Sequence, residues 1–291
     1  MTQLLLAKKH IPEIKKRLAE DVASLGLEDS YLAIVFLGEN TSSETYVRMK
    51  RRFGENIGLS VKVFQDRDDD QLIEEKVTEL IESLNKDSSC VGVVIQLPLP
   101  PSLFQATNRL YSKIAIEKDV DGLGGALMGY ASIGLIDFLP ATPGAVLRLL
   151  SVYGFADFQK KIAILQSNLV GRPLAIEMMK RTILSFNEYS DQKEMKERCK
   201  KSDLIVSCTG KIHLVNDEFV RDDQTQVLVD VGYGHKDGKA VGDVYAESVM
   251  AKVLALTPVP GVPLTVAQLF INTIELQKKR LMLPQSLIKR S

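Results

Sequence analysis

The chain has 291 residues, 45% of them hydrophobic and 25% charged, a balance that suits a globular protein with room for two domains of ordinary size. Lysine plus arginine equals aspartate plus glutamate at 37 each, so no net field favours nucleic acid or an anionic membrane, and small molecules or copies of the chain itself are the expected partners. Cys90, Cys199 and Cys208 form neither a Cys-x-x-Cys pair nor a metal-ligand pattern and read as reduced thiols, while His10, His213 and His235 are too scattered for a metal cluster or a catalytic triad.

Leu4-Leu-Leu6 runs at once into Ala-Lys-Lys-His, far short of a signal-peptide core or a membrane span, so the cytoplasm is the expected location. Ile11, Ile14, Leu18, Val22 and Leu25 then keep one helical face, with Gly26 near the helix end. Tyr31-Leu-Ala-Ile-Val-Phe-Leu37 is a continuous apolar run, as expected of a parallel strand covered on both faces. Helix 43–57, strand 60–64, helix 70–85 and strand 91–96 continue the alternation and predict a helix-flanked α/β sheet. A second series follows Phe138–Pro143: a helix near 143–153, strand Ile162–Leu165, a helix starting near Pro173, and strands Asp203–Ser207 and Gln226–Asp230. A last helix, Pro263 to about Arg280, places Val266, Leu269, Phe270, Ile274 and Leu276 on one broad face. No repeat or low-complexity stretch interrupts the chain, and only Lys289-Arg-Ser is expected to fray.

Three runs carry chemistry in the first series. Tyr46 and Lys50 stand one helical turn apart, a spacing that most often marks mere surface neighbours. Gln96 ends the run Val91-Gly-Val-Val-Ile-Gln-Leu-Pro-Leu-Pro100, whose prolines stop the strand, and Asp119-Val-Asp121-Gly122 reads as an acidic turn. Together they can bring an aromatic ring, an amine, an amide and a carboxylate to one end of a sheet, a set suited to a polar, flat heterocycle. In the second series, a short strand, a polar turn with Gly171 and Pro173 at a helix start fit a phosphate-binding corner and an ordinary strand–helix turn equally well, because no Gly-x-Gly-x-x-Gly is present.

The order of these runs, with Phe138-Leu-Pro-Ala-Thr-Pro143, Ser167-Asn-Leu-Val-Gly-Arg-Pro173, Val229-Asp-Val-Gly232, Val241-Gly-Asp-Val244 and Leu256-Thr-Pro-Val-Pro-Gly261, resembles the bifunctional methylenetetrahydrofolate dehydrogenase/methenyltetrahydrofolate cyclohydrolase family over nearly the whole chain. The resemblance implies two α/β domains: a catalytic, folate-binding domain at 1–140 and a Rossmann-like NAD(P)-binding domain at 141–262. It also implies a C-terminal helix, 263–291, that returns to the first domain, and a homodimer. The implied reactions are oxidation of 5,10-methylenetetrahydrofolate with NAD or NADP and hydrolysis of the methenyl product to 10-formyltetrahydrofolate. By motif, Lys50, Gln96, Tyr46 and Asp121 are the implied catalytic residues, with Tyr46 stacking on the folate ring, Gln96 orienting Lys50 and water, and Asp121 bonding the pterin; Asp119 is a turn residue. Leu97, Pro258 and Gly261 are further implied substrate contacts. Leu165, Gln166, Ser167, Gly171, Gly210 and Tyr233 are the implied cofactor contacts. Short-chain dehydrogenases also use a Tyr-x-x-x-Lys pair, but their glycine-rich cofactor turn precedes it, whereas the only cofactor-like turn here lies far downstream of the pair.

Departures from the family pattern cluster at the cofactor. Where the family has glycine, a variable residue often arginine, then serine, this chain has Leu165-Gln-Ser167, which removes a point of close backbone approach and a partner for the 2′-phosphate of NADP. The next strand end reads Phe186-Asn-Glu-Tyr-Ser190, whose Glu188 could bond a ribose hydroxyl but would repel a phosphate. Pro260-Gly-Val-Pro-Leu-Thr265 is two residues shorter than its family counterpart, and Asp121-Gly-Leu-Gly-Gly-Ala-Leu127 lacks the usual His-Pro and Asn. Three readings remain: a bifunctional enzyme, a cyclohydrolase with weakened redox function, and a non-catalytic folate-binding homologue. Intact Lys50 and Gln96 count against the third.

Overall fold

The computed structural model describes the chain as far as Arg280, outside Asn40, 67–72, Asp137, 157–160, 167–169, 180–181, 188–189, Tyr233, 237–238 and 258–261. The chain divides into two compact units, His10–Ala141 with the described residues from Val266 on, and Met1–Lys9 with Thr142–Thr265. The expected first domain, 1–140, therefore begins at His10 in this division. The reason is β1 (Gln3–Leu4), which pairs in parallel with Ala255 and Leu256. Two residues are too few for any periodicity to register in sequence.

In the first unit, α1 (Ile11–Ser24) buries Leu18 and Val22, and every residue of β2 (Tyr31–Leu37) is buried. α2 (Thr41–Ile57), β3 (Ser60–Asp66), α3 (Glu74–Lys86) and β4 (Cys90–Ile95) follow, the three strands lying parallel in the order β3-β2-β4. The continuous apolar run takes the centre, and β3, with exposed positions along its length, takes an edge. The unit continues with α4 (Thr107–Tyr111) and α5 (Gly125–Ser132). The predicted start of the third helix at 70 falls outside the described residues, as does the tail; α3 itself begins at Glu74.

The second unit contains α6 (Ala141–Val152), β5 (Lys161–Leu165), α7 (Gly171–Glu177), β6 (Thr182–Phe186), α8 (Gln192–Lys200), β7 (Leu204–Ser207) and β8 (Val227–Asp230). An antiparallel hairpin, β9 (Gly234–Lys236) and β10 (Lys239–Val241), precedes α9 (Ala246–Val249) and β11 (Ala255–Leu256). Its main sheet is parallel, in the order β1-β11-β8-β7-β5-β6. The chain leaves β5 for β6 on one side and returns to β7 on the other, so the carboxyl ends of β5 and β7 flank a topological switch point, where open parallel sheets bind ligands.

α10 (Val262–Arg280) joins the first unit from Val266 on, as the resemblance implied. The Phe270 ring stacks on Phe53 with centroids 4.9 Å apart. Burial extends well beyond the one broad face expected, because Gln268, Asn272, Thr273 and Gln277 are buried too. Hydrogen bonding makes that tolerable: Asn272 Nδ2 donates to the carbonyls of Val120 and Leu139, each at 2.9 Å, and Gln277 Nε2 to that of Val91 at 3.0 Å. All three cysteines are buried, and none forms a disulfide. Among the described residues, no helix is long and apolar enough to cross a membrane, and no cluster of three His, Cys, Asp or Glu side chains could hold a metal ion.

Candidate active site

The inward face of α2 runs through Ser43, Val47, Phe53, Gly54 and Ile57, all buried, and Lys50 falls on the same stripe, while Arg48, Arg51 and Arg52 are exposed. Gly54 lets the helix lie close to the sheet, since a Cβ there would stand 2.6 Å from both the Leu59 carbonyl oxygen and Val61 Cγ2. Ser43 Oγ donates to the Leu97 carbonyl at 3.2 Å, tying the first turn of α2 to the end of β4. Gln96, buried just beyond that strand, donates from Nε2 to the same carbonyl at 2.8 Å. A carbonyl can only accept, so the amide orientation is set and Oε1 receives the bond from Lys50 Nζ at 2.9 Å. Burial pushes the Lys50 pKa below its ordinary value, and the charge of Asp121 opposes that shift. Its direct partner is neutral, so the ammonium is held less tightly than a carboxylate would hold it.

Lys118, also buried, reaches the end of α3 and donates to the carbonyls of Leu84, Asn85 and Asp87 at 2.7–2.9 Å. The acidic turn follows. Asp119 accepts from the backbone N–H of Gly122 at 3.0 Å and Gly124 at 2.8 Å, and burial pushes its pKa up to about 7, with the charge of Asp121 adding to the rise. Its carboxyl thus shapes the turn, which leaves Asp121 as the carboxyl beside Lys50. Burial raises the pKa of Asp121, while Lys50 and the Tyr111 hydroxyl, 3.4 Å from Oδ2, pull it down. Gly122 has φ +74°, and a Cβ there would meet Phe138 Cε1 at 2.6 Å and Pro140 Cα at 3.0 Å, so Phe138 and Pro140 pack directly on the turn. Ala141 N donates to the Asp121 carbonyl at 3.1 Å, and Asn272 braces the neighbouring Val120.

Tyr46 lies half-buried on α2, one turn before Lys50, and Leu97 packs half-buried against the core of this unit. Pro258 and Gly261 are outside the described residues. Tyr111 is a site neighbour that sequence reasoning missed; a tyrosine at the end of a short helix carries no signal that its hydroxyl reaches a carboxylate.

At the carboxyl end of β5, Leu165 is buried in the core with Phe186, Met195, Ile205 and Val215. Gln166 is the first residue beyond the strand; its backbone N–H donates to the Phe186 carbonyl at 3.1 Å, its Nε2 donates to Ser185 Oγ, and its Oε1 is buried with no hydrogen-bond partner. Close approach is supplied by Gly171 at the start of α7, where a Cβ would lie 2.0 Å from Gln166 Cβ. Gly210, beyond β7, has φ +72° and open space beside its Cα. Ser167 and Tyr233 lie outside the described residues, as does Glu188.

The two glycine-aspartate motifs of this unit lock together. Asp243 Oδ2 accepts from Ser207 Oγ, Thr209 N and Thr209 Oγ1 at 2.7–2.9 Å. Asp230 accepts from the backbone N–H of Asp243 and Val244, both at 3.0 Å, and burial pushes its pKa up to about 7. The segment leaving β7 at the switch point is thereby fixed, though neither Ser207 nor Thr209 was singled out in the sequence. A switch-point crevice backed by a close-approach glycine, with an unpaired amide oxygen at its rim, fits a dinucleotide.

These features define a two-unit α/β enzyme of the dinucleotide-binding class with a separate lysine-amide-carboxylate site. The sequence matches the family descriptions "Tetrahydrofolate dehydrogenase/cyclohydrolase, catalytic domain" over residues 5–121 and "Tetrahydrofolate dehydrogenase/cyclohydrolase, NAD(P)-binding domain" over residues 140–281. The chain belongs to the tetrahydrofolate dehydrogenase/cyclohydrolase family. It is 34% identical over 286 residues to "Bifunctional protein FolD 2" of Lactobacillus johnsonii, covering 96% of this chain and 99% of that one. Among solved structures, the bifunctional FolD of Campylobacter jejuni is similar at 32% identity and a TM-score of 0.87, over 96% of this chain and 100% of that one. The Trypanosoma brucei FolD structure, complexed with NADP and an inhibitor, is similar at 26% identity and a TM-score of 0.87, over 97% and 99% of the two chains.

Proposed function

We propose that the protein oxidises 5,10-methylenetetrahydrofolate to the methenyl form with NAD(P) and hydrolyses that product to 10-formyltetrahydrofolate, as an enzyme of one-carbon folate metabolism. The observation that carries this reading is the bond from Lys50 Nζ to Gln96 Oε1, made by a lysine whose pKa burial has lowered.

The oxidation produces a cation stabilised by the two nitrogens that flank the one-carbon bridge, so it calls for alignment more than for a protein base. NAD(P), when bound, supplies the hydride acceptor. Gln166, Gly171 and Gly210 are the described residues that would hold it, and Leu165 acts only through the core beneath them. Tyr46 provides a stacking face for the folate ring, and Asp121 an acceptor for the amino and ring N–H groups of the pterin. Leu97 supplies apolar contact.

Hydrolysis requires proton transfer. Water adds to the methenyl carbon as neutral Lys50 removes one of its protons; as the carbinolamine collapses, the carbon–nitrogen bond to N5 breaks, that nitrogen takes the proton from Lys50, and the remaining hydroxyl proton leaves to solvent as the formyl C=O forms. Gln96 keeps one N–H of the amine engaged throughout, which aims the lone pair without adding a competing charge.

Homodimer formation is part of this reading. A groove of about 620 Å³ beside α2 and the edge strand β3 is lined by Phe36, Val47 and Val63 together with charges of both signs, Glu44 and Glu55 against Arg48, Arg51 and Arg52. Such a surface can pair with its own copy. Three buried cysteines outside any disulfide accord with a reducing cytoplasm. The test of the whole reading is to assay the purified protein separately for methylenetetrahydrofolate oxidation with NAD or NADP and for methenyltetrahydrofolate hydrolysis. Both activities are expected; a folded protein with neither would refute it.

A further inference from the structure

Tyr111 ends α4 with its side chain fully buried in the core of the first unit, packed with residues such as Val77, Ile81, Ile95 and Leu103. Phenylalanine would fill that space without the penalty of burying a hydroxyl. The hydroxyl instead meets two acceptors. It donates to the Ile95 carbonyl at 2.7 Å, at the last position of β4 and next to Gln96, and it lies 3.4 Å from Asp121 Oδ2. It has one proton to share between them. Directed at Ile95, that proton leaves the phenolic oxygen facing Asp121 as an acceptor, an arrangement that favours a protonated carboxyl. Turned towards Asp121, it stabilises the carboxylate.

The charged and titratable groups around this carboxyl come from three elements: Lys50 from α2, Tyr111 from α4, and Asp119 from the same turn. Gln96 from the end of β4 and Asn272 from α10 are neutral. Lys50 and Tyr111 thus favour the carboxylate, against burial and Asp119. Burial also keeps the phenol itself protonated, its pKa lying well above the ordinary tyrosine value, so it acts as a donor throughout the neutral range.

We propose that Tyr111 is a positioning residue for folate recognition, its hydroxyl holding Asp121 Oδ2 in the orientation and charge state that meet the pterin N–H groups. The proposal rests on the assignment of Asp121 to the pterin. It gives the site a polar contact that the lysine-glutamine-aspartate arrangement does not itself supply.

Folic acid, which lacks the one-carbon bridge on which both reactions act, serves as the probe in calorimetric titrations across the acidic and neutral range. Three proteins are compared: wild type, Tyr111→Phe, and the protein carrying 3,5-difluorotyrosine at position 111, whose more acidic hydroxyl is a stronger donor. Removing the donor destabilises the carboxylate, so in Tyr111→Phe the loss of affinity on acidification should begin at higher pH. At mildly acidic pH its affinity should fall about tenfold below wild type, with a smaller difference at high pH. The fluorinated protein should shift the other way, and it carries the test if the phenylalanine variant fails to fold. Equal weakening at every pH, or an unchanged profile in both variants, would overturn the proposal while wild-type binding remains. No binding by wild type would overturn the proposal and the folate reading together.

Discussion

Lys50 Nζ lies 2.9 Å from Gln96 Oε1, and Gln96 is itself anchored through Nε2 to the Leu97 carbonyl. The amine therefore faces a fixed, uncharged acceptor in desolvated surroundings. Because burial lowers the Lys50 pKa, the neutral, basic form becomes available at lower pH than for a free lysine, and enzymatic hydrolysis should increase with pH through that lowered pKa. Gln96→Glu would place a carboxylate against the ammonium and stabilise the charged form. The rising limb of the pH–rate profile, corrected for uncatalysed hydrolysis, should then move to higher pH by about one unit or more. An unmoved profile would remove the base assignment from Lys50.

The two acids of the turn should separate by experiment. Asp121→Asn should weaken folate binding more than Asp119→Asn, and equal or reversed losses in a titration would show that the wrong carboxylate has been assigned to the pterin. Asp119→Asn should instead lower stability by roughly 1–3 kcal/mol, because an amide can accept from only one of the two glycine N–H groups that Asp119 serves.

The raised pKa of Asp119 also has a sign. Between the ordinary aspartate value and about 7, the folded protein binds a proton at this position that the unfolded chain has released, so this group's contribution to stability falls as pH rises through that window. Relative to Asp119→Asn, wild type should therefore lose melting temperature as pH rises from about 4 to about 7. A wild type that gains on the variant over that range would contradict the placement of Asp119.

At the cofactor crevice, the neutral amide of Gln166 gives no cationic partner for a 2′-phosphate. NAD should therefore be used comparably to NADP or better, and Gln166→Arg should improve NADP affinity by about tenfold or more, the gain expected of a charged hydrogen bond worth roughly 1.5–3 kcal/mol. Tight NADP binding by wild type, unchanged by the substitution, would refute this description of the rim; Arg172 is the alternative cation to test next.

Gly171→Ala would drive a Cβ to 2.0 Å from Gln166 Cβ and 2.8 Å from its Cα, forcing α7 away from β5. A cost of about 1–3 kcal/mol is expected from such overpacking. Nucleotide affinity should suffer more than folate affinity, which titrations with each ligand would reveal.

Much of this architecture was legible in sequence where one physical signal dominated. The apolar run Tyr31–Leu37 could only be a strand covered on both faces, and it became the central strand of its sheet. Lys50 sits at the spacing of Val47, Phe53 and Ile57, so a lysine interrupting an apolar stripe was a sign of its inward position that the tyrosine-lysine spacing alone did not supply. Other features depend on contacts remote in sequence. β1 and β11 are two residues each; β1 exists through pairing across some 250 positions, and β11 is held between it and β8. The side-chain direction of Leu165 follows from which face of β5 meets the core, and the Asp230–Asp243 arrangement requires two separate loops to meet. Tyr111 looked like one more apolar residue until the fold brought Asp121 beside it.

The central claim is that Lys50 moves the proton in hydrolysis while other residues bind the folate. The most direct measurement is the rate of methenyltetrahydrofolate hydrolysis by folded Lys50→Ala, with folate affinity determined on the same preparation. Enzymatic hydrolysis should vanish, with folate affinity largely retained; hydrolysis near the wild-type rate would contradict the assignment.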